Sequence, residues 1–213
     1  MKLANRKETA VDAERAARQK HVDYLIRALN DSDVNARKQA AQLLGDLGAA
    51  SAVDALGATL FDPDAGVRQK AVGALSDIGA AAVKTLMAAL GNPDSLVRQT
   101  AAKALGILGE ARAIGPLLMA LRDPQDGVRN QAAFALTKIG APALQSLIEA
   151  LRDPDTNLRW QAARILGGVG DARALPELER LAREDRSLAR GTGSLVNVAD
   201  AARQAVEKIR SKT

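Results

Sequence analysis

Five glycines at near-equal intervals, Gly48, Gly79, Gly109, Gly140 and Gly170, close five copies of one pattern, and this recurrence restricts the fold more than any other feature of the chain. The copies read DSDVNARKQAAQLLGDLG (Asp31–Gly48), DPDAGVRQKAVGALSDIG (Asp62–Gly79), NPDSLVRQTAAKALGILG (Asn92–Gly109), DPQDGVRNQAAFALTKIG (Asp123–Gly140) and DPDTNLRWQAARILGGVG (Asp153–Gly170). The glycines lie 31, 30, 31 and 30 residues apart. A sustained period of this length means one supersecondary unit per repeat, each too small to bury its own apolar surface and therefore obliged to stack.

Each repeat reads as two helices. The first carries apolar residues at three-then-four spacing: Val53, Leu56, Leu60; Val83, Leu86, Leu90; Ile114, Leu117, Leu121; Leu144, Leu147, Leu151. Pro63, Pro93, Pro124 and Pro154 then stop the helix, and Asp64, Asp94 and Asp155 stand where a carboxylate caps the next one. The second helix buries positions such as Val67, Ala71, Leu75 and Ile78, and ends at the periodic glycine, which closes a helix cheaply in the left-handed conformation. The expected architecture is all-α, a right-handed α-solenoid of stacked antiparallel helix pairs. Residues 1–20 are expected to be a capping helix segment opened by Asn5 and Glu8, 21–170 to hold five repeats (21–48, 49–79, 80–109, 110–140, 141–170), and 171–213 to form a terminal cap with an inserted loop over 184–197.

Composition matters mainly for what it excludes. Aromatic residues make up 2% of the chain, which suits closely packed helices with aliphatic side chains. There is no cysteine, and His21 is the only histidine, so common transition-metal and nucleophile–base constellations cannot be assembled. No signal-like segment opens the chain and no uninterrupted apolar run approaches about 18 residues, which leads to the expectation of a cytoplasmic protein without a membrane partner. The net charge of +5 resides at the ends: residues 31–170 carry fourteen basic and fourteen acidic side chains. A neutral array is a poor match for nucleic acid.

The repeated D-P-D-x-x-V-R turn and A-A-x-A-L-G-x-I-G second helix resemble the HEAT-like repeats of the phycobilisome-lyase type, over about residues 21–210. Ser32 replaces the turn proline in the first copy, and Gln125 replaces the capping aspartate in the fourth, with Asp126 beside it. The resemblance implies that the second helices line a concave surface formed by their variable positions, namely Lys38, Gln39 and Gln42; Gln69, Lys70 and Gly73; Gln99, Thr100 and Lys103; Asn130, Gln131 and Phe134; Trp160, Gln161 and Arg164. None is acidic.

Within that set Trp160, Phe134 and Arg164 are the expected binding centre, with Lys103, Gln131, Lys70 and the nearby Leu96 contributing, because exposed aromatics and arginine dominate binding energy where they occur. The recurrent Arg37, Arg68, Arg98, Arg129 and Arg159, with Asp64, Asp94 and Asp155, are assigned instead to a structural ladder holding neighbouring repeats in register. Two carboxylates per turn fall short of the six to eight oxygens calcium takes, and Gly191-Thr192-Gly193 lacks the strand and spacing of a dinucleotide cradle. No metal site, catalytic residue or cofactor is expected. The leading functional expectation is a non-catalytic scaffold binding a protein or extended peptide with an acidic and apolar segment. A bilin-lyase-like role, in which groove cations hold propionates and Trp160 stacks on a ring, is the alternative, followed by nucleic-acid binding.

Overall fold

The computed structural model describes residues 2–190 and 195–212, with side chains described over 12–189 and 195–212. Its helices form two compact units, Met1–Ala89 and Leu90–Thr213. The first contains α1 (Lys2–Ala28), α2 (Val34–Asp46), α3 (Val53–Thr59), α4 (Ala65–Ile78) and α5 (Val83–Ala89). The second contains α6 (Ser95–Leu108), α7 (Ile114–Ala120), α8 (Asp126–Ile139), α9 (Leu144–Ala150), α10 (Thr156–Val169), α11 (Leu175–Glu184), a hairpin of β1 (Leu188–Arg190) and β2 (Leu195–Asn197), and α12 (Val198–Arg210). Each unit is built as an α-solenoid, a stack of short and long helices in alternation. The expected all-α fold holds apart from the hairpin, paired antiparallel with Ala189 opposite Val196.

The two-helix repeat follows from its punctuation. The short helices enter through 3-10 turns such as Ala50–Ala52 and Ala111–Ala113, and each centres on a leucine without solvent exposure: Leu56, Leu86, Leu117, Leu147 and Leu178. Val67, Ala71 and Leu75 of α4, and Val128, Ala132 and Leu136 of α8, are equally sealed, whereas Val53, Ile78 and Ile114 are only half buried. All five periodic glycines have positive φ, from 59° at Gly48 to 79° at Gly170. Composition alone would allow Ala65–Ala89 to cross a bilayer, but Gly79, at φ 78°, breaks it into α4 and α5.

The expected boundary between residues 20 and 21 falls inside one continuous helix. α1 is already helical at Lys2, upstream of the expected Asn5 start, and the Glu8 side chain lies outside the described ones. Among the described side chains of this segment, residues 12–21 are all exposed, and Arg18 ties it to the first repeat by donating to the Leu47 carbonyl at 2.7 Å. Burial begins where the apolar face begins, at Val22, Leu25 and Leu29.

The turns show a division of labour. Asp64, Asp94 and Asp155 accept the backbone N–H of Val67, Leu96 and Asn157 at 2.8–3.0 Å and so cap α4, α6 and α10; Gln125, as expected of a departure, makes no such bond. Beyond capping, Asp64 pairs with Lys38 at 2.9 Å and Asp155 lies 3.8 Å from Arg122, each a cation of the preceding repeat, but neither acid is the one gripped by a recurrent arginine. The ladder uses the first acid of the next turn: Arg37 grips Asp62 (2.7 and 3.0 Å), Arg98 grips Asp123 (2.6 and 2.9 Å) and Arg159 reaches Asp185 (2.7 Å). Each arginine also donates to two carbonyls of its own turn, as Arg68 does to Asp62 and Pro63. Arg129 keeps those carbonyl bonds but its ion pair is with Asp126 on its own helix, while Asp153 is taken by Arg122 at 2.6 Å.

The inserted loop proves to be a turn pulled apart. Asp185 keeps the ladder function, and Asn197, on the far side of the hairpin, caps α12 through the Ala199 N–H at 2.8 Å. Gly191-Thr192-Gly193 lies outside the described residues.

One acid beyond the repeat pattern stabilises the last pair. Glu177, 8% exposed, accepts from Arg152 at 2.9 and 3.0 Å and from Arg180. The Arg152 guanidinium, against the opposing push of burial and with help from Arg180, holds its carboxyl down to about 2 from an ordinary 4.5. A depressed pKa supplies stability above the unfolded value, and that stability drains away as pH falls from 4.5 towards 2. Glu177→Gln should therefore cost about 2 kcal/mol at pH 7. The gap from wild type should narrow below about pH 4.5, read from urea midpoints at pH 7 and pH 3; a gap of constant size would refute the linkage.

Candidate functional site

The exposed faces of α8, α10 and α12 frame a cleft of 340 Å³ in the Leu90–Thr213 unit. The position before the helix-closing residues explains why it opens there. In α6 that position is Gly106, so tightly set against α8 that a Cβ on it would fall 2.5 Å from the Ala135 Cα; in α10 it is Gly167, with the Ala205 Cα at 2.9 Å. In α8 it is Thr137, and the residue of α10 corresponding to Ala135 is Ile165. Both line the cleft, and the Thr137 methyl rests against Gly168. Larger side chains thus separate α8 from α10 where glycine and alanine bring α6 to α8 and α10 to α12.

The lining is basic and amphipathic. Phe134 is 41% exposed, with the Lys138 Nζ 5.6 Å from its ring centroid. Arg164 and Lys208 supply positive charge, Gln161, Gln204 and Asn130 supply amides, and no acidic residue takes part. Arg164 is exposed but lies against two neighbours: its guanidinium carbon is 4.6 Å from the centre of the Trp160 ring, and Nη1 makes a long contact of 3.5 Å with Gln161 Oε1. Gln161 is 3% exposed. Among the described residues Arg164 has no carboxylate partner, although Arg98, Arg122, Arg129, Arg152, Arg159 and Arg180 all do.

A model of HEAT repeats matches residues 22–83, 57–137 and 116–193. The chain belongs to the HEAT-repeat family. No curated protein sequence matches it. Among solved structures it is similar to an engineered protein at 23% identity, covering 90% of this chain and 97% of that one with a TM-score of 0.48. It is also similar to a designed armadillo repeat protein in complex with the peptide (KR)4, at 20% identity, 87% and 98% coverage and a TM-score of 0.48. A third likeness is to the complex of CpcE and CpcF of phycocyanin lyase from Nostoc sp. PCC7120, at 22% identity, 88% and 94% coverage and a TM-score of 0.39.

In this HEAT-repeat chain the expected binding residues divide. Phe134 and Arg164 meet at the cleft, whereas Trp160, expected as an open anchor, is only 8% exposed beneath Arg164. Its ring face is occupied, which also removes the stacking surface on which the bilin reading relied. Lys103 is exposed on α6 and Gln131 half buried on α8, neither in the cleft wall. Leu96, 38% exposed, sits at the start of α6. Lys70 belongs to the other unit, where its Nζ donates to Gln42 at 2.8 Å. Sequence reasoning missed Thr137, Ile165, Gln204 and Lys208. The first two were legible as departures from glycine and alanine in the repeat; the last two were hidden because the split turn obscures the register of α12.

Proposed function

We propose that this HEAT-repeat protein is a non-catalytic scaffold that binds a protein or peptide segment bearing carboxylates beside an apolar side chain, at the cleft between α8, α10 and α12. The reading rests above all on Arg164, whose guanidinium lies over the Trp160 ring beside a buried amide and has no acid to neutralise it among the described residues. An ordered cation in an acid-free cleft has already lost much of the side-chain freedom that binding would otherwise cost, so an incoming carboxylate gains more from it. Phe134 offers apolar area next to that charge.

The test is selection from a random displayed peptide library against the wild-type protein and an Arg164→Ala/Lys208→Ala variant. Wild type should enrich peptides with Asp or Glu adjoining an apolar residue, and the variant should bind those peptides about tenfold or more weakly, a difference that shrinks as salt is raised. Enriched peptides without acids, no enrichment at all, or equal affinity for the variant would each reject the proposal.

A further inference from the structure

The burial of Trp160 raises the question of what a repeat array gains from placing its single tryptophan beneath an arginine. Resting on the reading just given, we infer that Trp160 is a positioning residue for recognition: it clamps the Arg164 guanidinium plane so that its N–H edge presents a two-donor fork to a planar carboxylate in the cleft. A guanidinium lying on an aromatic face has its π surface covered and its donors left at the rim, an arrangement an ammonium group cannot copy. Gln161 Oε1 stands 3.5 Å from Nη1 at one end of the rim, a long contact, and its own burial keeps that amide from swinging away. Among the described residues no carboxylate satisfies the remaining N–H groups. Phe134, on the neighbouring helix of the same cleft, is placed to cover the aliphatic part of the side chain that carries the incoming group.

A clamped guanidinium goes beyond charge attraction, because it makes discrimination depend on orientation. A site that merely attracts negative charge tolerates replacement of Arg164 by lysine and is indifferent to the ring beneath. A clamped fork distinguishes a glutamate from its isosteric glutamine, which pairs with only one of the two donors, and it loses that distinction when the clamp is removed.

The probe is a fluorescein-labelled peptide of repeating Glu-Leu-Gly triplets, with a Gln-Leu-Gly counterpart, titrated by fluorescence anisotropy. Wild type should prefer the Glu peptide by about tenfold or more. Trp160→Phe, which keeps a ring, should retain most of that preference, while Trp160→Leu and Arg164→Lys should reduce it to about threefold or less with little change in affinity for the Gln peptide. Because loss of a buried tryptophan can weaken the fold, a second measurement uses the wild-type protein alone. The Arg164 Cδ protons should resonate upfield of those of the other arginines through the ring current of Trp160, and ordinary shifts would overturn the clamp. Failure of wild type to prefer the Glu peptide would defeat the acidic-segment reading itself; a preference that survives in Trp160→Leu would overturn only the role given to Trp160.

Discussion

Asp123→Ala is expected to destabilise the Leu90–Thr213 unit by about 3 kcal/mol. Asp123 receives both forks of Arg98, at 2.6 and 2.9 Å, and at the same time accepts the Gln125 N–H at 2.9 Å, so one carboxylate joins two repeats and shapes the turn of its own. The partners are 9% and 12% exposed at their side chains, well below the exposure at which ion pairs become negligible. Burial by itself would raise the Asp123 pKa; Arg98 and the turn amide outweigh it and hold the carboxyl below its ordinary value. Truncation leaves the Arg98 Nε and Nη2 donors without their acceptor in a largely dry place, which is the costly way to break such a pair. Asp123→Asn should fall between, since it keeps the turn bond but not the charge. The control is Asp126→Ala: Asp126 is 59% exposed, and its loss should cost no more than about 1 kcal/mol. Equal losses in urea unfolding for Asp123→Ala and Asp126→Ala would show that the ladder contributes little.

The ladder also shows how far the sequence could be read. Recurrence of arginine at one place in five copies was enough to assign it a structural task, because a group needed at every junction is a fastening. Recurrence could not say which carboxylate it holds, since three of the five turns carry two acids at the same spacing and only geometry separates the capping acid from the fastening one. Helices, caps and closing glycines were legible for a related reason: they depend on neighbours a few residues away in the chain. Trp160 was misread because its exposure depends on whether Arg164 turns towards or away from its ring, a contact that helical spacing permits without requiring. The N-terminal segment was assigned to a cap because an Ala-rich charged helix has the composition of one, whereas covering requires an apolar face, and among the described side chains of α1 that face starts at Val22. Glu177 and Asp185 carried no repeat signal at all, lying where the pattern dissolves, yet both complete ion pairs that begin in the regular repeats.

Gly106→Ala should be as damaging as the loss of Asp123, at about 3 kcal/mol, although alanine is the better helix former. In open helix the exchange gains about 1 kcal/mol, and Gly73→Ala, which meets nothing within 4 Å, should show that gain. At Gly106 the added methyl would lie 2.5 Å from the Ala135 Cα and 2.7 Å from its Cβ, so the obstacle is backbone and no side-chain rotation relieves it. The two helices must part, and every buried contact between α6 and α8 loosens with them. Shortening the neighbour does not help: Ala135→Gly removes the farther of the two atoms and leaves the nearer, so the double variant should recover less than half of the loss. Thermal unfolding of Gly106→Ala, Gly73→Ala and Gly106→Ala/Ala135→Gly tests this, and a Gly106→Ala protein as stable as wild type would refute it. The same steric rule, with the sign reversed, accounts for the cleft. Where Thr137 replaces the glycine and Ile165 the alanine, α8 and α10 cannot close as α6 and α8 do, and the space left between them is bordered by Arg164 and Phe134. Close packing at one junction and a binding cleft at the next are thus set by the same pair of positions, by small side chains in one case and larger ones in the other.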